Sequence, residues 1–544
     1  MKKYLKKHSL LILLLVIMSI FDSIATAGVP LITKKFIDYI PSLNINLILI
    51  FSLLFIGDVC FILFFEYIVK IISARLYRNI LIDIKNDLFK KIFELPYDEF
   101  YQKDTDYYSN VFVNDVDLLY GDFFDCYFSL CLSIISFLVY SIVSLAINYI
   151  VAIVIIISSI ITLFIPQLVG RKIAAKRKEQ SDETEKYMGS LKDLLQGYSL
   201  NNNHTNSKFN GVHYFYNCKK ENALFNFSKY KSFVDIFSGF SLYFVNICTF
   251  ISGILLVNYK ILNLASFVAM LSYVDLIAIP SRDMIFEVIG IKSSKEIRKK
   301  IEGILYHKNK KINYLNLNFK DEIRLKDVSF KYDDSKEKIL DDVTLTLKCG
   351  KKYAIIGSNG SGKTTLKNIL LGRIKNYKGN ITYDGRDLNM INIEYFCSCI
   401  DQSTFIFNAS GMDNVTLFGS YANKNLDKMV KELRMGNILK NDLGEFGSKL
   451  SGGEKRKIDI LRSYARNSKM VIGDEIYENL DKKSEEEIKK FISENSKDKT
   501  WIEITHDLSA ENLSRFDEVL ILKKGKIIKM DASNDKLKEI SMLI

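Results

Sequence analysis

Proline is scarce, with five in 544 residues, and between Gly57 and Pro96 the chain has neither proline nor glycine. Nothing in that stretch breaks a helix. It predicts one of ~57 Å at ~1.5 Å per residue, well beyond the ~30 Å hydrocarbon core of a bilayer. Cysteine is present eight times, but without the paired spacing of a metal site, and nothing points to an oxidising compartment. The nearest pair, Cys397 and Cys399, reads as strand filler. The formal net charge is +12, yet no aromatic-basic motif organises the lysines. Nucleic acid is therefore not an expected partner, and the excess reads as surface charge and basic membrane flanks. The richness in Lys, Ile and Asn is of the kind that low-GC bacterial genomes encode.

Lysine and arginine are also missing from six predominantly apolar stretches, residues 9–33, 45–69, 126–147, 149–169, 233–258 and 261–281. Each is near the ~20 residues that a membrane-crossing helix needs. Residues 303–544 contain no such run, so the chain divides into a membrane half and a soluble half. Lys2, Lys3, Lys6 and Lys7 ahead of Leu10–Ile20, with Ala25-Thr26-Ala27 following, resemble a signal peptide. Five further spans favour the other reading, a retained first helix with its basic start in the cytosol. Residues 70–125 and 170–232 then fall on the cytosolic side. They read as long helical extensions, with Pro96–Asp117 and Asn201–Val212 the segments expected to meet a cytosolic motor. Asp22, Asp58, Glu66, Asp235 and Asp275 are acids inside the apolar stretches, where charge is costly. They predict an acid-lined cavity for a cationic substrate, or else protonated, interfacial or intersubunit positions.

In the soluble half, the strand-like KKYAII of residues 351–356 runs into Gly357, Ser358, Asn359, Gly360, Ser361, Gly362, Lys363, Thr364 and Thr365, and then into a helical segment. This is the G-x-x-x-x-G-K-[ST] phosphate loop in its required setting. Its glycines let backbone N–H groups converge on phosphates. Lys363 suits the terminal phosphates and Thr364 suits Mg²⁺. A second strand, Met470-Val471-Ile472-Gly473, ends in Asp474 and Glu475, placing a Mg²⁺ ligand beside a group able to polarise water. Between them Leu450-Ser451-Gly452-Gly453-Glu454 opens a helix.

At these residues the chain resembles the ATP-binding cassette family, whose signature reads LSGGQ; Glu454 stands at the glutamine. The resemblance covers Ile323 to about Lys538, and the membrane half resembles six-span, exporter-type half-transporters. It implies ATP and Mg²⁺ as ligand and cofactor, and a multidomain architecture. That architecture is an all-α six-helix transmembrane domain (1–302) with long cytosolic helical extensions, a linker (303–320), and an α/β P-loop ATPase domain (321–544) with a helical signature subdomain. It further implies an adenine-stacking role for Tyr332, a Mg²⁺- and water-sensing role for Gln402, and a switch role for His506. Asp481 matches a loop that crosses to a second subunit, and Ser451, Gly452, Gly453 and Glu454 match the part of the family that contacts nucleotide across that interface. Gly444-Glu445-Phe446-Gly447 matches a loop of exporters. Gly473 and Ile476-Tyr477-Glu478-Asn479 depart from the family pattern and put the fine geometry there in doubt.

With one loop and one signature, the chain is expected to pair with a second half-transporter, as a homodimer in the simplest case, with a heterodimer as the alternative. The resemblance implies a multi-pass protein of the cell membrane with its ATPase domain in the cytoplasm, exporting a peptide or other amphipathic, cationic compound. Lipid or drug export, and import of a metal chelate, are the alternatives. The first span begins at once, so no leader-cleaving peptidase domain is expected. A soluble cassette acting on DNA or ribosomes is disfavoured by the spans, and a gated channel by the complete catalytic set.

Overall fold

The computed structural model describes residues 1–40, 45–162, 170–307, 314–332 and 337–531. The chain forms two compact units: Met1–Leu95 with Lys103–Lys308, and Pro96–Gln102 with Asn309–Ile544.

The first unit is helical. The six apolar stretches fall on α1 (Ser9–Tyr39), α2 (Ile45–Phe93), α3 (Cys126–Ile147), α4 (Tyr149–Thr162), α6 (Asn206–Asn258) and α7 (Leu264–Ser293), with α5 (Gly170–Gln196) between the fourth and fifth and α8 (Lys295–Leu305) after the last. Among the described residues, four helices are long and apolar enough to cross a membrane: Ser9–Tyr39, Ile45–Phe93, Thr105–Ile147 and Leu264–Ser293. Tyr149–Ile161 and Leu242–Asn258 are shorter apolar helices. Residues 163–169 of the fourth predicted span lie outside the described residues. The glycine- and proline-free stretch is helical as far as Phe93, as its composition predicts, within a 49-residue helix, α2, that starts at Ile45 and carries Gly57 inside it. Before α3 the chain stays helical but passes through two π turns, Val111–Asp115 and Tyr120–Asp125.

Close packing ties the helices together. The Tyr273 hydroxyl on α7 donates to the Ala27 carbonyl of α1 at 2.5 Å, and Gly253 of α6 lies so near Phe267 that a Cβ would sit 2.2 Å from its ring. The basic N-terminal turn is docked on the polar extension of α2. Lys3 and Tyr4 donate to Asp87 at 2.7 and 3.0 Å, and Lys7 and His8 meet Asp83 at 2.6 and 2.9 Å. The Lys3 hydrogen bond holds the Asp87 carboxyl below the usual carboxylate range.

The second unit carries two sheets. An antiparallel one has the order β2-β1-β4-β5, from β1 (Glu322–Phe330), β2 (Leu340–Lys348), β4 (Lys378–Tyr383) and β5 (Arg386–Asp387). The other has the order β10-β9-β3-β8-β7-β6, from β3 (Lys352–Ile356), β6 (Cys397–Ile400), β7 (Met470–Asp474), β8 (Thr500–Ile504), β9 (Glu518–Lys523) and β10 (Lys526–Asp531). In this sheet β9, β3, β8, β7 and β6 run parallel and β10 is an antiparallel edge. Every residue of β7 and β8 is buried, as a strand covered on both faces should be. In open parallel sheets, ligands bind beyond the carboxyl ends of the strands. Here β3 leads to Gly357, β8 leads to His506, β7 ends in Asp474 and leads to Glu475, and β6 leads to Gln402. The strand order β3-β8-β7-β6 therefore gathers four separate stretches of sequence at one edge. Helices α9 (Lys363–Leu370), α10 (Gly411–Thr416), α11 (Leu426–Glu432), α12 (Gly452–Ala465) and α13 (Lys482–Asn495) complete the unit. The C-terminal residues 532–544, to which the resemblance partly extends, lie outside the described residues.

The departures around Asp474 explain one another. A Cβ at Gly473 would stand 2.2 Å from Ile476 Cδ1 and 2.7 Å from its Cγ1. Gly473 is thus the space into which the buried Ile476 folds back. Tyr477 is held by Arg515, whose guanidinium donates to its hydroxyl at 2.8 Å and lies 5.2 Å from its ring centroid. Replacing Gly473 by Val is expected to cost about 1–3 kcal/mol through overpacking, and Ile476→Ala in the same chain to recover most of it. Thermal unfolding of the two variants and the double variant in detergent checks this; equal losses in the single and double variants would refute the pairing.

Candidate nucleotide site

The loop after β3 is shaped by its glycines. Gly360 and Gly362 have φ of +78° and +105°, which side-chain-bearing residues rarely adopt. A Cβ at Gly357 would stand 2.4 Å from the Leu522 carbonyl oxygen, so only glycine lets the loop pass β9. Lys363, at the first turn of α9, is buried and curls into the loop, donating to the carbonyls of Gly357 and Ser358 at 2.8 and 3.1 Å. Burial lowers its pKa against the opposing charges of Glu475 and Asp474. Ser361 is buried with its hydroxyl oxygen unpartnered. A concave backbone turn with an orphaned hydroxyl and a buried ammonium fits an oxyanion such as a phosphate chain. Thr364 is exposed on the next position of α9. The Tyr332 hydroxyl lies 3.3 Å from Thr365 Oγ1, and its ring packs edge-on against Phe330, which puts the half-exposed aromatic beside the loop.

At the ends of β6, β7 and β8 three predicted residues meet. Glu475 has φ +49°, a left-handed kink that turns its side chain out of the strand. Its Oε1 is 2.9 Å from His506 Nε2, and its Oε2 accepts from Gln402 Nε2 at 2.7 Å. The same Gln402 amide donates to Glu478 at 2.9 Å. Burial and the neighbouring Glu478 raise the Glu475 pKa, with His506 opposing. The Gln402 hydrogen bond lowers that of Glu478. Asp474 is buried and receives Lys367 Nζ on Oδ2 at 2.5 Å. Asp474, Thr364 and the Gln402 amide oxygen are donors of the oxygen type that suits Mg²⁺.

The signature residues occupy a separate place, the start of α12. Ser451 is the N-cap, accepting from the Glu454 amide at 3.3 Å, while the Glu454 carboxylate accepts from the Ser451 amide at 2.8 Å and from its hydroxyl at 2.9 Å. Glutamate at the usual glutamine thus completes a capping box. Gly453 is packed against α13, where a Cβ would be 2.7 Å from Ser484 Oγ. Asp481 caps α13, accepting from the Ser484 amide at 3.0 Å. Phe446 of the exporter-like loop has φ +50° and is exposed.

Five residues in this region carry no role in the sequence reading: Lys367, Arg373, Asp401, Arg456 and Glu478. Arg456 of α12 is buried and donates to the carbonyls of Asp401 at 2.7 Å and Gln402 at 2.6 Å. Arg373 donates to Asp401 at 3.3 Å. The available signal was a lysine at position 367, on a helix that otherwise buries Leu366, Ile369 and Leu370; a charge there requires a buried partner.

A helical membrane unit and a nucleotide-binding unit joined in one chain define the half-transporter class. The chain belongs to the ABC transporter family: the family model for the ABC transporter transmembrane region matches residues 12–281, and that for ABC transporter matches residues 340–478. It is a multi-pass membrane protein. It is similar to ATP-dependent lipid A-core flippases, at 33% identity over 233 residues for the Desulfotalea psychrophila protein and 32% over 221 for that of Vibrio parahaemolyticus. The heterocyst differentiation ATP-binding protein HepA of Nostoc sp. is 32% identical over 247 residues. The three alignments cover 40%, 38% and 43% of this chain, and 40%, 38% and 40% of those relatives. The fold is that of a bacterial Atm1-family ABC exporter solved with ATP bound, with a TM-score of 0.82, 16% identity, and coverage of 98% of this chain and 97% of that one.

Replacing Glu454 by Ala opens the capping box and is expected to cost about 1 kcal/mol, whereas Glu454→Gln keeps an acceptor and costs a few tenths. Amide exchange at the first turn of α12 reads the difference; equal protection in both variants would remove the box as the reason for glutamate.

Proposed function

We propose that this chain is one half of an ATP-driven exporter that hydrolyses ATP and moves an amphipathic compound out of the cytoplasm. The observation that carries the reading is Glu475 held between Gln402 and His506 at the strand ends that also carry the phosphate loop. In this reading the Gly357–Thr365 backbone and Lys363 bind the phosphates, Tyr332 stacks on adenine, and Glu475 takes the proton of the attacking water. His506 and Gln402 orient that carboxylate. Mg²⁺, bound through Thr364, Asp474 and Gln402, supplies charge neutralisation at the phosphates. Ser451, Gly452, Gly453, Glu454 and Asp481 act on the nucleotide of a second half-transporter, a homodimer being the simplest assembly.

For the substrate, the acids of the spans separate. Glu66 is paired at 2.6 Å with Lys70, one turn further on and just past the end of the apolar stretch. Asp58 lines a groove of about 550 Å³ with Ile32, Ile50, Leu53, Leu54 and Phe61, and its Oδ2 is buried without a partner. Asp275 is exposed on α7, and the Asp235 side chain lies outside the described residues. An apolar groove with one acid supports an amphipathic cation, a peptide among them. The relatives named as lipid A-core flippases support a lipid as the second reading.

Glu475→Gln is expected to lower ATP turnover by about 10²–10⁴-fold with nucleotide binding retained; near-parental turnover removes Glu475 from the role. In inverted vesicles, ATP-dependent accumulation of substrate inside supports export, and ATP-dependent loss supports import. Asp58→Asn should reduce accumulation of cationic amphiphiles several-fold while sparing neutral lipid analogues; equal effects on both would discard the cation reading.

A further inference from the structure

We propose that Lys367 is a shared internal cation that competes with the metal for Asp474, and that Arg373 sets how Lys367 is divided between Asp474 and Asp401. The proposal rests on Asp474 serving as a Mg²⁺ ligand, as argued above. Lys367 is 4% exposed. Its ammonium lies 2.5 Å from Asp474 Oδ2 and 2.8 Å from Asp401 Oδ1. The Asp401 carboxylate also receives Arg373, Nη2 to Oδ2 at 3.3 Å and Nη1 to Oδ1 at 3.4 Å. Two cations thus face two carboxylates, and of the four Lys367 and Asp474 are buried, so unpairing either of those strands a buried charge. The main chain of Asp401 cannot drift to relieve this, because Arg456 grips its carbonyl.

The competition has a direction. While Lys367 holds Oδ2 it neutralises half of the Asp474 carboxylate and presents a positive charge to an incoming cation. When Asp401 loses Arg373 it must draw more on Lys367, and Asp474 is left with more charge for metal. Arg373 is in turn capped by the ring of Tyr97, 4.9 Å from its guanidinium carbon to the centroid. Tyr97 opens the short helix Tyr97–Phe100, in the segment that belongs to the second unit although its neighbours in sequence belong to the first. Tyr97, Arg373, Asp401, Lys367 and Asp474 form a continuous chain of contacts from that segment to the metal ligand. Such a chain counts as coupling only if energies measured at its ends prove interdependent.

The test uses the full chain in lipid nanodiscs with ADP, and Mn²⁺ as the metal probe read by its paramagnetic resonance signal, independent of turnover. Lys367→Met is expected to tighten Mn²⁺ binding three- to tenfold, with the affinity for a fluorescent ATP analogue in EDTA unchanged. Lys367→Arg, which keeps the charge, should stay within twofold of the parent. Arg373→Gln and Tyr97→Ala should each tighten Mn²⁺ at least twofold, and neither should add to Lys367→Met. Unchanged or weaker Mn²⁺ binding in Lys367→Met overturns the competition for Asp474, and additive effects overturn the link to Tyr97. If Lys367→Met does not fold, Arg373→Gln alone decides, tighter binding supporting the shared cation and unchanged binding overturning it. Failure of the parent chain to bind Mn²⁺ with nucleotide would instead sink the metal-site reading on which the proposal rests.

Discussion

The guanidinium of Arg456 is the contact on which the site's geometry depends. It reaches from the second turn of α12 into the interior and holds two consecutive carbonyls, those of Asp401 and Gln402. A buried arginine is tolerated only when its donors are satisfied, and here main-chain oxygens satisfy them, so the partner that is fixed is a stretch of backbone. From that fixed point the two side chains go different ways. Gln402 reaches the carboxylates of Glu475 and Glu478, and Asp401 turns back to Lys367 and Arg373. Burial opposes charge on Asp401, but the two cations prevail and hold its carboxyl down at about 2. One arginine thus joins the signature helix, the end of β6 and both acids of β7.

Much of this was readable because it depends on local patterns. A glycine-rich turn between a buried strand and a helix has few uses, and the loss of Lys and Arg over some twenty residues marks an apolar helix whatever surrounds it. The part of α2 beyond Gly57 followed from a stretch without a helix breaker. What was not readable depends on which strands are neighbours. Gln402, Glu475 and His506 are far apart in sequence and were assigned separately, by resemblance; only the order β3-β8-β7-β6 makes them one cluster. Lys367 lay in a segment taken as an ordinary apolar helix, and nothing local to it specifies that Asp401 and Asp474 flank it.

The residues that break the family pattern are compensated close by. Gly473 gives up a side chain on a fully buried strand, and Ile476, three residues on, fills the space. Tyr477 places a hydroxyl in the interior and Arg515 satisfies it. Glu503 is buried beside them and accepts from Trp501 at 2.9 Å. The turn carrying Glu475 is therefore held by contacts of these departing residues, and Glu475 emerges from it at left-handed φ toward His506. Glu478 is the one departure that enters the cluster itself, adding a second carboxylate under the Gln402 amide.

The signature end shows the same economy, with a consequence for how a second chain meets it. A carboxylate only accepts hydrogen bonds, so Glu454 takes both the amide and the hydroxyl of Ser451 and shapes the turn before any partner arrives. Its negative charge at the start of α12 is favoured by the helix dipole but opposes an anion approaching the same amides. For Ser451 to offer its hydroxyl to a phosphate it must rotate away from Glu454, while the amide bond to Glu454 can persist. Gly453 brings α13 close enough that the turn capped by Asp481 lies alongside. The start of α12 and the start of α13 are thereby packed against each other, each turn fixed by its own cap, Ser451 with Glu454 on one side and Asp481 on the other.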